Sequence, residues 1–305
     1  MEILTYSRIR MYLNCPASEY LRYTAGLIPK MGGSTPRLLG SAVHKGLETG
    51  SIDEAVALFN AVAPVSQAEQ DQLDADMATC RAMLLGAKKA FPALEDMHPE
   101  MEFTIPIINP KTGETSPHFM LAGKVDGICT MDGEKWIVEY KTASSVTQQY
   151  ISRLSLDGQV TTYMHAMQKV LGRSIAGVIY RIIRKPSIRK GQAESSDQYC
   201  RRLEIDYQNR PEFYFTEQLL YRSPDDIKAF EQELWDITQR MLWDRQQGIC
   251  LHNTARCTDF GCCEYMPICR NDQWQNMYEY REPHQELSKG AIDNAFTENE
   301  NASKV

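Results

Sequence analysis

The most constraining feature of this chain is a predicted strand pair that carries charged residues at fixed spacing. Strand-like sequence covers residues 119–130 and 135–141, and the Met131-Asp132-Gly133-Glu134 segment between them is typical of a hairpin turn. Side chains alternate between the two faces of a strand, so Glu139 and Lys141 are predicted to share one face. A β-hairpin in the middle of the sequence is therefore the expected centre of the fold.

Asp126 lies on the first strand of this hairpin, and it would face Glu139 and Lys141 if the strands are in register. Two carboxylates suit a hard cation such as Mg²⁺. A neighbouring lysine can orient or deprotonate a water, or offset the charge of a phosphate. A Glu-x-Lys triplet alone is more typical of a solvated ion pair. Here it ends the apolar run Trp136-Ile137-Val138, which favours a site for metal-dependent phosphodiester hydrolysis.

Composition limits the class of protein. The apolar fraction of 43% over 305 residues is enough for a sizeable core, and no apolar run approaches the ~20 residues of a membrane span. The first residues lack the pattern of a secretory signal, so we expect a cytoplasmic protein that does not bind membranes. We predict one domain over residues 1–285, and a polar, disordered tail over residues 286–305.

The hydrophobic periodicity predicts an α/β fold with helical additions. Predicted helices cover residues 4–24 with an interruption at Cys15-Pro16, 38–48, 53–89 with a break at Pro64, 158–170 and 223–245. Predicted strands outside the hairpin cover residues 101–108, 175–183 and 202–207.

Charge is unevenly distributed. The net charge of −7 argues against indiscriminate coating of nucleic acid, because such binding depends on neutralising phosphates. Basic residues nevertheless cluster in segment 180–190, and Arg201 and Arg202 follow. This cluster fits either a solvated hairpin or an edge that contacts phosphates.

Four thiols occur within thirteen residues, at Cys257, Cys262, Cys263 and Cys269. Closely spaced cysteines in a loop usually hold zinc or an iron–sulfur cluster, and disulfides are not expected in the cytosol. Three ligands from this segment need a fourth from elsewhere. Cys15, which precedes a helix-breaking proline, is the best candidate, and such a site would join the two ends of the chain.

The exact ligand set stays open on sequence grounds. Cys262 and Cys263 compete for one position, and Cys263 is favoured by its five-residue gap to Cys269. Cys250 is a further alternative.

Six motifs follow one another in order along the chain. They are Tyr6-Ser7-Arg8 with Asn14-Cys15-Pro16 and Tyr20-Leu21-Arg22-Tyr23, Gly40-Ser41-Ala42-Val43-His44, Gly123-Lys124-Val125-Asp126, Glu139-Tyr140-Lys141, Gln159-Val160-Thr161-Thr162-Tyr163, and the closing cysteines at 257, 263 and 269. Together they resemble the RecB-type branch of the PD-(D/E)XK nuclease superfamily. Over most of residues 4–282 the chain is similar to iron–sulfur exonucleases of phages, AddB-type helicase-nucleases and CRISPR systems.

The resemblance implies a restriction-endonuclease-like fold. A mixed sheet flanked by helices would form the core, and an iron–sulfur cluster would join the N- and C-terminal segments. The implied [4Fe–4S] ligands are Cys15, Cys257, Cys263 and Cys269. The chain departs from the family in the long gap after Cys257 and in the additional Cys262.

The resemblance also implies roles for the remaining motif residues. His44, Asp126, Glu139 and the backbone carbonyl of Tyr140 would bind one or two Mg²⁺ or Mn²⁺ ions. Lys141 would position the attacking water. Gln159 and Tyr163, one helical turn apart, would line the site and contact DNA or brace the lysine.

We therefore expect a metal-dependent DNA exonuclease acting at single-stranded ends in phage-type replication, recombination or end processing. The expected nucleic-acid partner is single-stranded DNA or the ends of a duplex, and the expected location is the host cytoplasm if the gene belongs to a phage. A helicase, a recombinase or another replication protein is an expected partner, because the sequence lacks the phosphate-binding loop of a helicase motor. The alternatives are a catalytically inactive DNA-end-binding subunit with the same fold, and a zinc protein whose Glu-x-Lys is incidental.

Overall fold

The centre of the fold is a mixed six-stranded sheet, seen in a computed structural model that describes residues 1–30, 36–259, 262–285 and 287–288. Its strands are β1 (Glu2–Leu4), β3 (Glu95–Ile108), β4 (Thr115–Met131), β5 (Glu134–Ala143), β6 (Gly177–Arg184) and β7 (Phe215–Leu220). A separate two-stranded sheet pairs β2 (Leu27–Pro29) with β8 (Tyr278–Tyr280).

The longest strand, β4, has different partners along its two edges. One edge pairs with β3 in antiparallel fashion over most of its length. The other edge has two successive partners, because β1 pairs in parallel with residues 119–121 and β5 pairs in antiparallel fashion with residues 127–131. Residues 122–126 therefore lie between the ends of two neighbouring strands. The sheet continues with β6 parallel to β5 and β7 antiparallel to β6.

The β4–β5 hairpin confirms the prediction from the sequence. Asp132 and Gly133 have φ angles of 55° and 78°. A two-residue hairpin turn requires such left-handed values if its twist is to match that of the flanking strands. Aspartate tolerates this region better than most residues, and glycine adopts it at no steric cost.

Helices cover both faces of the sheet. They are α1 (Tyr6–Asn14), α2 (Pro16–Glu19), α3 (Pro36–Thr49), α4 (Ile52–Asn60), α5 (Gln67–Ala90), α6 (Gln148–Leu154), α7 (Gly158–Leu171), α8 (Ser196–Asn209), α9 (Pro211–Tyr214), α10 (Pro224–Gln246) and α11 (Met266–Cys269), with a π-helix at Tyr20–Thr24 and a 3₁₀-helix at Thr254–Arg256. Apolar residues of α7 and α10 pack on one face of the sheet. Those of α3, α5 and α8 form a second core.

The predicted strand over 202–207 is wrong, because these residues belong to α8. Tyr199, Leu203 and Tyr207 are buried at four-residue spacing, which is the periodicity of one helix face. The polar residues between them, including Arg202, lie on the outer face of the helix. Polar and apolar residues therefore alternate along this sequence as they would in a strand.

The solvated-hairpin interpretation of segment 180–190 is also wrong. Its first half lies in β6, where the buried Arg181 donates a hydrogen bond of 2.7 Å to Glu217. Residues 185–190 then form a loop. Strand β1 is a further difference, because Leu4, the first residue of the predicted helix over 4–24, instead ends a three-residue strand.

Other predicted features are confirmed. The first helix is interrupted at Cys15-Pro16, where α1 ends and α2 begins. Pro64 lies between α4 and α5.

The predicted disordered tail falls mostly outside the described residues. No helix in the described ranges has both the length and the apolar character needed to cross a bilayer.

A buried arginine ties the N-terminal elements together. Arg8 of α1 is only 2% exposed, and its guanidinium donates hydrogen bonds to Glu19 at 2.8 Å and to the Ile3 carbonyl at 2.8 Å. It also bonds Glu2 at 2.6 Å. One side chain therefore links β1, α1 and α2.

We expect Arg8→Met to lower the free energy of unfolding by about 3 kcal/mol or more, because it leaves the buried Glu19 carboxylate poorly compensated. Arg281→Met is the matched control. Arg281 is 48% exposed and pairs with the exposed Glu279 at 2.9 Å, so its loss costs at most about 1 kcal/mol. Urea denaturation measures both variants, and equal costs would contradict this role of Arg8.

Candidate active site

The candidate site lies where β5 separates from β4. The last paired residues are Gly127 and Val138. Beyond this point the Asp126 carboxylate takes the place of a strand partner, because its Oδ2 accepts the Tyr140 backbone N–H at 2.7 Å. The backbone donor released by the separating strands is thus satisfied by an acidic side chain.

Glu139 and Lys141 share one face of β5, as the alternation predicts. The Lys141 ammonium donates to Glu139 Oε1 at 2.5 Å. Glu139 is only 3% exposed, and its second oxygen, Oε2, is buried with no hydrogen-bond partner among the described residues. Val138 and Tyr140 are buried in a separate apolar cluster.

Helix α3 brings His44 to the same place. His44 Nδ1 lies 3.4 Å from Asp126 Oδ1. One turn earlier, Gly40 faces β5, where an added Cβ would make an ordinary van der Waals contact of 3.5 Å with Thr142 Oγ1. Helix α3 therefore packs against β5 and places His44 beside the aspartate.

Helix α7 contributes the remaining predicted pair. Gln159 Nε2 donates to the Tyr163 hydroxyl at 2.8 Å, as expected for residues four apart. Burial and the negative charge of Glu139 raise the pKa of Tyr163 well above its ordinary value, which places the phenol near the acidic group. The structure thus places His44, Asp126, Glu139 and Lys141 together, with Tyr163 near Glu139 and Gln159 bonded to Tyr163.

The two carboxyl groups have different acidities. Burial and the nearby charge of Asp126 raise the pKa of Glu139 to about 7, although Lys141 acts in the opposite direction. Burial also opposes ionisation of Asp126, but His44 and the Tyr140 N–H outweigh it, and the pKa of Asp126 is lowered.

Sequence reasoning missed Asp157. Its carboxylate accepts the Gln159 backbone N–H at 2.9 Å and so begins α7. Burial lowers the pKa of Lys141, and the charge of Glu139 raises it. The charge of Asp157 adds a smaller upward shift to the pKa of Lys141. The available signal was an aspartate directly before the first residue of a predicted helix.

Oxygen donors dominate the site, and such donors suit a hard divalent cation. Within the described ranges, no three His, Cys, Asp or Glu side chains are arranged around one position as a ready metal-ion site. Lys141 instead contacts one oxygen of Glu139. The buried and unpartnered Oε2 is the atom that a cation would satisfy.

The predicted cysteine ligands also lie near one another. Burial raises the pKa of Cys269, and negative charge on Cys263, Cys15 and Cys257 raises it further. Cys15 Sγ accepts the Asn253 backbone N–H at 3.5 Å.

Exposure does not separate the competing cysteines, because Cys250, Cys262 and the predicted ligand Cys269 are all exposed. Cys262 and Cys263 both line a depression with Pro29 and Met277, but only Cys263 also lines the cleft that contains Cys15 and Cys257. Burial raises the pKa of Cys250, and the charge of Cys15 raises it further.

The buried Glu139 predicts a specific pH dependence of stability in the metal-free protein. Because its folded pKa of about 7 exceeds the ordinary 4.5, its stabilising contribution is complete below pH 4.5 and is lost as the pH rises through 7. Glu139→Gln should therefore match the parent near pH 5 and exceed its unfolding free energy by about 1–3 kcal/mol at pH 8.

Urea denaturation in EDTA measures this effect, and Glu134→Gln in the exposed turn of the same hairpin is the control. Parallel pH profiles for the parent and Glu139→Gln would contradict the prediction.

Comparison with known proteins places this geometry in a family. The model of the PD-(D/E)XK nuclease superfamily matches residues 3–270. A crystal structure from Eubacterium rectale at 2.19 Å, described as a "Putative exonuclease", is 13% identical, with a TM-score of 0.54 over 89% of this chain and 88% of that chain. The structure of SSO0001 is 12% identical over 78% of this chain and 84% of that one, with a TM-score of 0.30.

Among curated proteins, none shows significant sequence similarity to this chain. The family model nevertheless covers most of the sequence, and its central sheet flanked by helices is the architecture seen here. This protein belongs to the PD-(D/E)XK nuclease superfamily.

Proposed function

We propose that this protein is a divalent-metal-dependent DNA exonuclease that hydrolyses phosphodiester bonds at single-stranded ends. One observation carries the proposal most directly. Asp126, Glu139 and Lys141 meet where β4 and β5 separate, and Glu139 keeps a buried oxygen without a partner. A purely structural ion pair would not require such an atom, because an unsatisfied buried oxygen destabilises the fold.

The metal would be held by His44, Asp126 and Glu139, together with the Tyr140 carbonyl. Carboxylate and carbonyl oxygens suit Mg²⁺ or Mn²⁺, and the imidazole shifts the balance toward Mn²⁺. When bound, such an ion polarises a phosphate and lowers the pKa of a bound water.

The surrounding side chains would position the substrate and the water. Lys141 donates to Glu139 Oε1 at 2.5 Å, and its positive charge would stabilise the attacking water and the scissile phosphate bound beside Glu139. The Tyr163 hydroxyl is protonated at neutral pH and, because its pKa is raised well above the ordinary value, also at higher pH, so it could donate a hydrogen bond to a phosphate oxygen. Gln159 fixes that hydroxyl in place.

The exonuclease assignment and the preference for single strands rest on the resemblance and on what the sequence lacks. No module for reading base sequence is apparent, which favours action at DNA ends. We propose duplex ends as a second substrate, and a helicase, recombinase or other replication protein of a phage-type pathway as the partner that supplies single strands.

We further propose that Cys15, Cys257, Cys263 and Cys269 hold a [4Fe–4S] cluster with a structural role. In such a cluster each thiolate binds a different iron, so the sulfurs need not surround a single ion. After burial, negative charge on neighbouring thiols raises the pKa of Cys263 and of Cys269, which indicates that these thiols lie close together. The Asn253 backbone N–H also donates to Cys15 Sγ. Both observations support this assignment.

Neighbouring contacts would align the two chain segments that supply these ligands. The Leu251 carbonyl accepts the Ala17 N–H at 3.0 Å, and the Asn253 amide donates to the Asn14 carbonyl at 2.9 Å. The cluster would therefore complete a junction that protein contacts already begin. We propose that this junction is part of one nuclease domain over residues 1–285.

Asp126→Asn should reduce cleavage of end-labelled single-stranded DNA by at least about a thousand-fold, because the variant loses both a metal ligand and a negative charge. Asp132→Asn, the same chemical change in the hairpin turn, should retain activity. Digestion of single- and double-stranded DNA with Mg²⁺, with Mn²⁺ and with EDTA measures rate, polarity and metal dependence together.

Full activity of Asp126→Asn would refute the assigned site. Tight binding of DNA ends by a wild-type protein that never cleaves them would instead support the inactive end-binding subunit.

The cluster assignment predicts different outcomes for two adjacent cysteines. After anaerobic purification, Cys263→Ser should lose most of its iron and sulfide and melt at a lower temperature, whereas Cys262→Ser should keep both. Iron, sulfide and zinc analysis with absorption spectroscopy measures this. Stoichiometric zinc without sulfide in protein never exposed to air would refute the cluster.

A further inference from the structure

The side chain of Arg222 joins three elements beside the candidate active site. Arg222 lies between β7 and α10, directly before Ser223, the N-cap of α10. Its Nε donates to Thr161 Oγ1 at 2.7 Å, and its Nη2 donates to the Asp157 carbonyl at 2.9 Å and to the Leu154 carbonyl at 3.3 Å. Leu154 ends α6, Asp157 is the N-cap of α7, and Thr161 lies in the first turn of α7. One guanidinium therefore holds the corner between these two helices.

The same corner determines where the first turn of α7 lies, and this turn begins the helix that carries part of the candidate site. Asp157 Oδ1 accepts the Gln159 backbone N–H at 2.9 Å, and Gln159 Nε2 donates to the Tyr163 hydroxyl at 2.8 Å. The Tyr163 ring packs edge-on against Phe103 of β3, with 6.0 Å between the ring centroids. A series of hydrogen bonds therefore runs from Arg222 through Asp157 and Gln159 to the phenol.

A cation at this corner has opposite effects on the two helices. Positive charge stabilises the C-terminal end of a helix and destabilises the N-terminal end, because of the helix dipole. Arg222 contacts the last carbonyl of α6 but also the first turn of α7. Burial lowers the pKa of Arg222, although the charges of Asp226 and Asp157 oppose this shift. The stability of α7 alone would thus favour a neutral donor, and what arginine provides here is a rigid fork with donors in several directions.

We propose that Arg222 is a positioning residue of the active site, which fixes the first turn of α7 so that Gln159 and Tyr163 face the scissile phosphate. The inference rests on the proposed function and deepens it, because it identifies what holds this pair in place. Arg222 acts through Asp157 and Thr161 and not on the reacting atoms. Without it, the first turn shifts and the Tyr163 hydroxyl moves away from the phosphate, and a displacement of about 1 Å can lower a rate by ~100-fold.

A double-mutant cycle between Arg222→Lys and Tyr163→Phe tests this role. Lysine keeps the positive charge, but its single nitrogen cannot serve acceptors in all the directions that the guanidinium covers. On a single-stranded oligonucleotide we expect Arg222→Lys to lower kcat about ten-fold and to change KM by less than about two-fold, because binding of the rest of the strand is unaffected. In the Tyr163→Phe background the same substitution should lower kcat by about two-fold or less, since the hydroxyl that Arg222 positions is already absent.

Arg202→Lys is the matched control, because Arg202 of α8 also bonds a backbone carbonyl of another segment, that of Arg189 at 2.9 Å. This variant should keep the parent kcat. Thr161→Val is a second test, since it removes the acceptor of Arg222 Nε and leaves the arginine in place. It should lower kcat in the same direction by a smaller factor, and it decides the question if Arg222→Lys does not fold.

A measurement without activity separates this inference from the proposed function. In protein with isotopically labelled tyrosine, kept in EDTA, the NMR signal of Tyr163 is identified by its absence from the Tyr163→Phe spectrum. We expect Arg222→Lys to shift this signal and Arg202→Lys to leave it in place. An unmoved signal in Arg222→Lys, or an equal loss of kcat with and without the Tyr163 hydroxyl, would overturn the proposal. If the parent protein cleaves no DNA with any metal, the proposed function fails, and the NMR comparison still decides whether Arg222 positions the phenol.

Discussion

The rest of the structure depends on how one strand shares its edge. The edge of β4 is occupied by β1 at residues 119–121 and by β5 from residue 127 onward, so a short stretch between them has no strand partner on that side. Asp126 lies at the end of this stretch and bonds the backbone of the departing strand. The interruption in the ladder therefore creates the site and supplies the group that stabilises its wall.

The same arrangement explains why charged residues are tolerated inside the sheet. Glu139 is buried, but Lys141 contacts one of its oxygens and His44 compensates the neighbouring Asp126. The remaining oxygen of Glu139 is left without a partner. Such an atom costs stability, and proteins retain groups of this kind where function requires them. This arrangement suits the positively charged ligand that we propose for the site.

Much of the centre was predictable because its signals are local. The Asp132-Gly133 turn and the alternation along β5 indicated the hairpin and the shared face of Glu139 and Lys141. The grouping of His44 with this pair came from the resemblance to a family, because no local pattern brings a helix onto a strand. The backbone bond from Tyr140 to Asp126 depends on where two strands separate, which sequence periodicity does not encode.

The errors in the sequence-based prediction also occur where the structure depends on distant contacts and not on local sequence. Residues 202–207 alternate in polarity like a strand, and only their packing against α5 and the sheet identifies one helical face. β1 is three residues long, and its pairing with a strand more than a hundred positions later gives no local signal. Asp157 was missed because an aspartate before a helix is usually only a cap.

The pairing of β2 with β8 has a consequence for how the chain is made. Leu27 lies opposite Tyr280, so the partner of β2 leaves the ribosome about 250 residues later. At about 5–20 residues per second, β2 waits on the order of ten seconds or more with its hydrogen-bonding edge unpaired. Closing so long a loop is entropically costly and slow, so this small sheet forms after the central sheet has assembled. Of the two sheets, the β2–β8 pair is therefore the last to be protected from aggregation and proteolysis during synthesis.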